Sequence, residues 1–103
     1  MTSTHQSHDK AIVELLRKDP AFTDNYLATA SEKINESDGH ESLLAALRQI
    51  AEAQGMTSIA KQAGISCEDL HNSLSPNSDP TLEIFLAIVH AAGLKLAIQR
   101  PAN

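Results

Sequence analysis

Apolar positions along this chain recur at spacings of three and four, the mark of helices with one buried face. Ile12, Leu15 and Leu16 share one face of a first helix over 9–18, with Asp9 in place to cap it. Asp19-Pro20 reads as a stop and a restart, because proline suits the first position of a helix and aspartate the cap before it. A second helix then runs to about residue 36, with Phe22, Tyr26, Leu27, Ala30 and Ile34 in a stripe. Asp38-Gly39-His40-Glu41 breaks the pattern, and Asp38 with Glu41 has the spacing of a capping box. A third helix places Leu43, Leu44, Leu47, Ile50 and Ala51 on one side and ends at Gly55. A fourth spans about 57–63 and stops at Gly64. Ser66 caps a fifth, with Asp69 at the reciprocal position, and that helix closes near Ser75-Pro76. After the loop Asn77-Ser78-Asp79-Pro80, Thr81 caps a sixth helix over 82–92, and Gly93 ends it.

The sixth helix is apolar nearly all round, with Leu82, Ile84, Phe85, Leu86, Ile88 and Val89. Such a helix needs cover on two sides, one from the core and one from a candidate dimer contact. In the last segment Leu96 and Ile98 alternate with polar or small residues, which predicts a short strand over 95–100. A lone strand needs a partner, and a two-fold mate is the simplest one. The expected fold is therefore all-α, about six helices with a short C-terminal β-strand. Its expected divisions are an N-terminal helical extension over 1–37, a central domain over 38–94 and the strand over 95–103.

Composition narrows the picture. Aromatic residues are only 3% of the 103 positions, against 42% hydrophobic in all, so Leu, Ile and Ala must build the core. That composition suits close-packed helices. The single cysteine, Cys67, excludes an intrachain disulfide and fits a reducing, cytoplasmic setting. No basic-then-apolar leader opens the sequence, and the longest purely apolar run, 84–89, is far too short for a membrane span. The net charge of −5 argues against a protein that grips nucleic acid by charge alone and suits a basic partner.

The most informative stretch is Ile59-Ala60-Lys-Gln-Ala63-Gly64-Ile65-Ser66-Cys-Glu-Asp-Leu70-His-Asn-Ser-Leu74. Two short helices that cross steeply need a small residue at their first close contact, here Ala60, and a left-handed residue at the turn, here Gly64. Ile65 fills the space beneath the turn, Ser66 caps the second helix, and Leu70 and Leu74 pin it to the core. These are the offsets of a helix-turn-helix, and residues 42–93 read as such a unit. Over roughly residues 8–100 the chain resembles the repressor-like, Cro or XRE-type, helix-turn-helix regulators. More narrowly it is similar to the addiction module antidote proteins, the HigA-like antitoxins. The resemblance is carried by Leu15-Leu16-Arg17-Lys18-Asp19-Pro20 with Tyr26-Leu27, and by Ser42-Leu-Leu-Ala-Ala-Leu-Arg48 running into Ile50-Ala51-Glu-Ala-Gln-Gly55-Met56. Ala60-Lys-Gln-Ala-Gly-Ile-Ser66, Leu74-Ser75, Pro80-Thr81-Leu82 and Gly93-Leu-Lys-Leu96 complete it.

The resemblance implies a homodimer that binds its own operator DNA and neutralises a small basic RelE/ParE-like toxin encoded beside it. It places a recognition helix at 67–75, with Ser66, Cys67, Glu68, His71 and Asn72 toward the major groove and Thr57, Ser58 and Lys61 near phosphates. Relatives typically carry Arg after the turn Ser and a second basic residue in mid-helix, where this chain has Cys67 and Asn72. Residues 40–80 hold two basic residues, Arg48 and Lys61, against five acidic ones, a net −3 on the unit meant to meet phosphate. Asn72 can still read adenine, and Glu68 can accept from cytosine. Two other functions stay open: a stand-alone phage-type repressor, and an interaction module that kept this fold and lost DNA binding. Residues 1–39 also carry net −3, which suits either a cover for the core or a surface for a basic toxin.

Other chemistry is thin. Cys67 and His71 stand one helical turn apart, but two ligands do not make a zinc site. His5, His8 and Asp9 have helical spacing for a metal, in a segment expected to fray. His40 reads as a loop residue and His90 as a partly buried structural one. Glu68 and Asp69 in a first turn also complement the helix dipole with no ligand at all. There is no nucleophile elbow, phosphate-cradling glycine loop or HExxH motif, so no enzyme, metal or cofactor is expected.

Overall fold

The computed structural model describes residues 4–98 and 100, and the side chains from residue 9 onward. Six helices follow one another: α1 (Thr4–Lys18), α2 (Pro20–Glu32), α3 (Gly39–Gln54), α4 (Met56–Ala63), α5 (Cys67–Ser73) and α6 (Leu82–Ala91). α3 is the axis of the molecule. α1 and α2 lie against it as a hairpin, and α4 joins it to α6, with α5 resting on α4 and α6.

The boundaries follow local chemistry. Asp19 accepts hydrogen bonds from the Ala21 and Phe22 amides, and Pro20 occupies the first turn of α2. Thr81 accepts from the Ile84 amide and starts α6. α2 ends at Glu32, earlier than its apolar stripe predicts, because residues 33–38 form a chain of tight turns that close on Gly39. The stripe itself is real: Phe22, Tyr26, Leu27, Ala30 and Ile34 are each half-buried.

Five expectations are corrected. His40 lies inside α3 and not in a loop, and His90 is exposed and not partly buried. α1 begins at Thr4, so Asp9 sits inside the helix instead of capping it. Asp38 precedes α3, but its side chain makes no capping bond, so the predicted capping box does not form. No strand occurs among the described residues, and 94–98 is irregular. Gln99 and residues 101–103 lie outside the described residues. The alternation of Leu96 and Ile98 does not suffice because a strand requires an edge to pair with, and a single all-helical chain offers none. Both side chains stand exposed, Ile98 at 94%.

The core lies around α3. Leu47, Ile50, Ile59, Leu70, Leu74 and Ile88 are almost wholly enclosed. Leu44, Ala51, Ala60, Val89, Ala91 and Ala92 extend this cluster. Small residues at 46, 51 and 60 let the helix axes approach closely. On α6, Ile88 and Val89 are buried, while Leu82 and Leu86, one turn apart, are exposed.

Candidate functional site

α4 and α5 are joined by a three-residue connection built from its own sequence. Gly64 takes a left-handed conformation with φ of 77°, which only glycine adopts without penalty. The Ile65 amide then bonds back to the Ala60 carbonyl and the Gly64 amide to that of Lys61, so two of the carbonyls in the last turn of α4 are satisfied. Ser66 accepts from the Asp69 amide at 3.0 Å and opens α5. On the inner side Ile59, Ala60, Leu70 and Leu74 are enclosed. That burial turns the remaining positions outward.

The structure places all eight predicted residues, Thr57, Ser58, Lys61, Ser66, Cys67, Glu68, His71 and Asn72, in exposed positions. Thr57 and Cys67 come together, with the Cys67 Sγ 3.8 Å from the Thr57 Oγ1, so the first turns of the two helices adjoin. The Ser58 hydroxyl accepts a bond from the Gln62 side-chain Nε2 at 3.2 Å. Lys61 is the one lysine or arginine between positions 49 and 94, and Glu68 and Asp69 stand on α5. The second cation counted for this unit, Arg48, is committed elsewhere: its Nη2 lies 3.6 Å from Asp9 Oδ1. The outer face of α4–α5 is therefore polar and slightly acidic. Among the described residues no three His, Cys, Asp or Glu side chains gather as a metal site would need. The side chains of His5 and His8 lie outside the description.

A second polar group was not anticipated. Gln49 is enclosed on α3, the one buried polar side chain among the described residues. It donates to Asp9 Oδ1 of α1 at 2.6 Å and accepts from the Tyr26 hydroxyl of α2 at 2.5 Å. One side chain thus clasps both helices of the hairpin to the axis. Tyr26 also stacks on Phe22, with centroids 5.6 Å apart. The only sequence signal was a glutamine between Arg48 and Ile50, with nothing to show its partners 23 and 40 residues away.

Burial raises the Tyr26 pKa above the ordinary phenol value, and the Asp9 charge adds to this, while the Gln49 bond and Arg48 oppose it. The folded value lies above the unfolded one. The neutral phenol therefore stabilises the fold fully below about pH 10, and this contribution is lost as pH rises through the folded value. Tyr26 is the only tyrosine and there is no tryptophan, so an absorbance titration of tyrosinate reads this group alone. The expected midpoint is above that of free tyrosine, and Asp9→Asn is expected to lower it. An unchanged midpoint in Asp9→Asn would show that the carboxylate does not act on the phenol.

Comparison with known proteins assigns a class to this architecture. The family described as "probable addiction module antidote protein" matches residues 7–100, and the chain belongs to that family. An antidote of this kind is the antitoxin member of a toxin–antitoxin module, so the family implies a toxin as partner. A protein of Haemophilus influenzae (strain ATCC 51907 / DSM 11121 / KW20 / Rd), described only as uncharacterized, is 37% identical over 68 residues. The match covers 66% of this chain and 70% of that relative. No solved structure matches the chain. Among the described residues no helix is long and apolar enough to cross a membrane.

Proposed function

We propose that this chain is a non-catalytic cytoplasmic antitoxin, HigA-like in kind, that neutralises a small basic RelE/ParE-like toxin and represses its own operon as a homodimer. In this reading α4–Gly64–α5 is an XRE-type helix-turn-helix. Glu68, His71 and Asn72 meet base edges, with Ser66 and Cys67 at the groove and Thr57, Ser58 and Lys61 at phosphates. The observation that carries the reading is the exposed polar face of α4–α5, held outward by Leu70 and Leu74 in a chain of the antidote family. Exposed Leu82 and Leu86 on α6 supply an apolar surface suited to a second copy.

Fluorescence anisotropy on the DNA upstream of the gene, against scrambled DNA at two salt concentrations, tests the operator arm. Specific binding that weakens with salt is expected. Lys61→Ala should flatten the logarithmic salt dependence by about one unit per protomer. Co-purification with the product of the adjoining reading frame, and relief of its toxicity, tests the antitoxin arm. No complex with that product would sink it.

One observation favours a second reading. With Arg48 drawn to Asp9, the α4–α5 face has little charge to offer phosphate. A protein-interaction module that lost DNA binding would show no affinity as wild type and gain it in Glu68→Arg with Asn72→Arg. Tight binding by the wild type would exclude it.

A further inference from the structure

Burial is divided unequally along the chain. Of the fifteen buried hydrophobic residues among those described, thirteen lie on α3 or beyond it, and residues 9–18 of α1 supply Val13 and Leu16. α2 has no buried residue at all. The free energy that holds a segment closed follows the apolar surface it buries, so segments with few enclosed side chains open below the global unfolding limit. What fastens the hairpin, besides those two side chains, the partly buried Ile12, the half-buried stripe and the Arg48–Asp9 pair, is the clasp of Asp9, Gln49 and Tyr26. At its other end the hairpin leads into residues 33–38, almost all exposed, which offer a hinge.

We propose that α1 and α2 form a strap that opens as one unit about residues 33–38 while α3 to α6 stay folded, with the Asp9–Gln49–Tyr26 clasp as its lock. Opening returns the polar side chain of Gln49 to water and bares the side of α3 that the hairpin covers. Loss of either outer bond leaves Gln49 half-satisfied inside, so the lock holds best when both helices are docked. This couples α1 to α2, although they touch each other less than they touch α3. The strap is independent of the antitoxin reading and stands whether or not a toxin binds this chain.

Native-state hydrogen exchange on the full-length protein tests it. Amides of residues 9–18 and of α2 are expected to exchange through a common opening, about a hundredfold or more faster than those of α3, α4 and α6. Tyr26→Phe keeps the ring on Phe22 and removes only the hydroxyl, and Asp9→Ala removes the carboxylate that accepts from Gln49. Each should speed exchange in the hairpin about tenfold and leave α3, α4 and α6 unchanged. The strap is overturned if α1 and α2 share the protection of α3 to α6, or if they open at separate free energies. It is also overturned if both variants lower protection evenly along the chain.

Discussion

Leu70→Ala is expected to lower the thermal midpoint of this protein by roughly 10 °C or more, the largest effect of any single truncation on α5. Leu70 is fully enclosed and sits among Ile59, Leu74 and Ile88 in the cluster around α3. Removing a buried leucine side chain costs about 2–5 kcal/mol through lost burial and the cavity left behind. Domains of this size have a total stability of only about 5–15 kcal/mol, and about 1 kcal/mol shifts the midpoint by roughly 4–8 °C. The local consequence is larger than the global one. α5 has only seven residues, and isolated helices shorter than about 12 residues are marginal in water. Its helicity is thus borrowed from Leu70 and Leu74, and with it the outward set of Glu68, His71 and Asn72. Thermal unfolding followed by circular dichroism is the check, with Glu68→Ala as an exposed control expected within about 0.5 kcal/mol of wild type. A shift of only a few degrees in Leu70→Ala would mean that α5 is not held by this side chain.

Gly39→Ala is expected to destabilise by about 1–3 kcal/mol, and the sign is the informative part. Gly39 lies in the first turn of α3. By helix propensity alone, alanine there should gain up to about 1 kcal/mol. The tertiary structure reverses this. A Cβ at Gly39 would press on the Lys33 carbonyl oxygen and lie 2.6 Å from that of Ile34. Both obstacles are backbone, so the turn over 33–38 must shift before the methyl group fits. Gly64→Ala provides the contrast. There the backbone is left-handed, but nothing lies within 4 Å of the new carbon, so the cost is the conformational one, about 1–2 kcal/mol. Denaturant unfolding of the two variants compares them directly. Stabilisation by Gly39→Ala would show that the turn gives way freely. Because that turn is also the proposed hinge of the strap, the variant should speed exchange in α1 and α2 as well.

Much of this architecture is legible in the sequence itself. The six helices, the caps at Asp19, Ser66 and Thr81, and the stop at Gly64 all rest on interactions within a few residues. Side-chain oxygen, amide and φ angle are then specified by neighbours in the chain, and periodicity of 3.6 marks the buried faces. The same logic placed the eight candidate residues of α4 and α5 outside and Leu70 and Leu74 inside. Family membership, too, was written in the order and spacing of local segments.

Only the tertiary structure decided the rest, and in each case the cause is a partner distant in sequence. Asp9 looked like a helix cap and Arg48 like a charge available to phosphate, yet the two face each other across α1 and α3. Gln49 looked like an incidental polar residue and is the bond that joins three helices. Gly39 looked like a helix break, whereas its missing Cβ is needed for a close backbone approach. Leu96 and Ile98 alternate as a strand would, and without an edge to pair with they remain irregular and exposed. A sequence determines the hydrogen bonds and periodicities that close over a few residues. Which groups meet across forty residues depends on how the helices pack, and no local pattern encodes that.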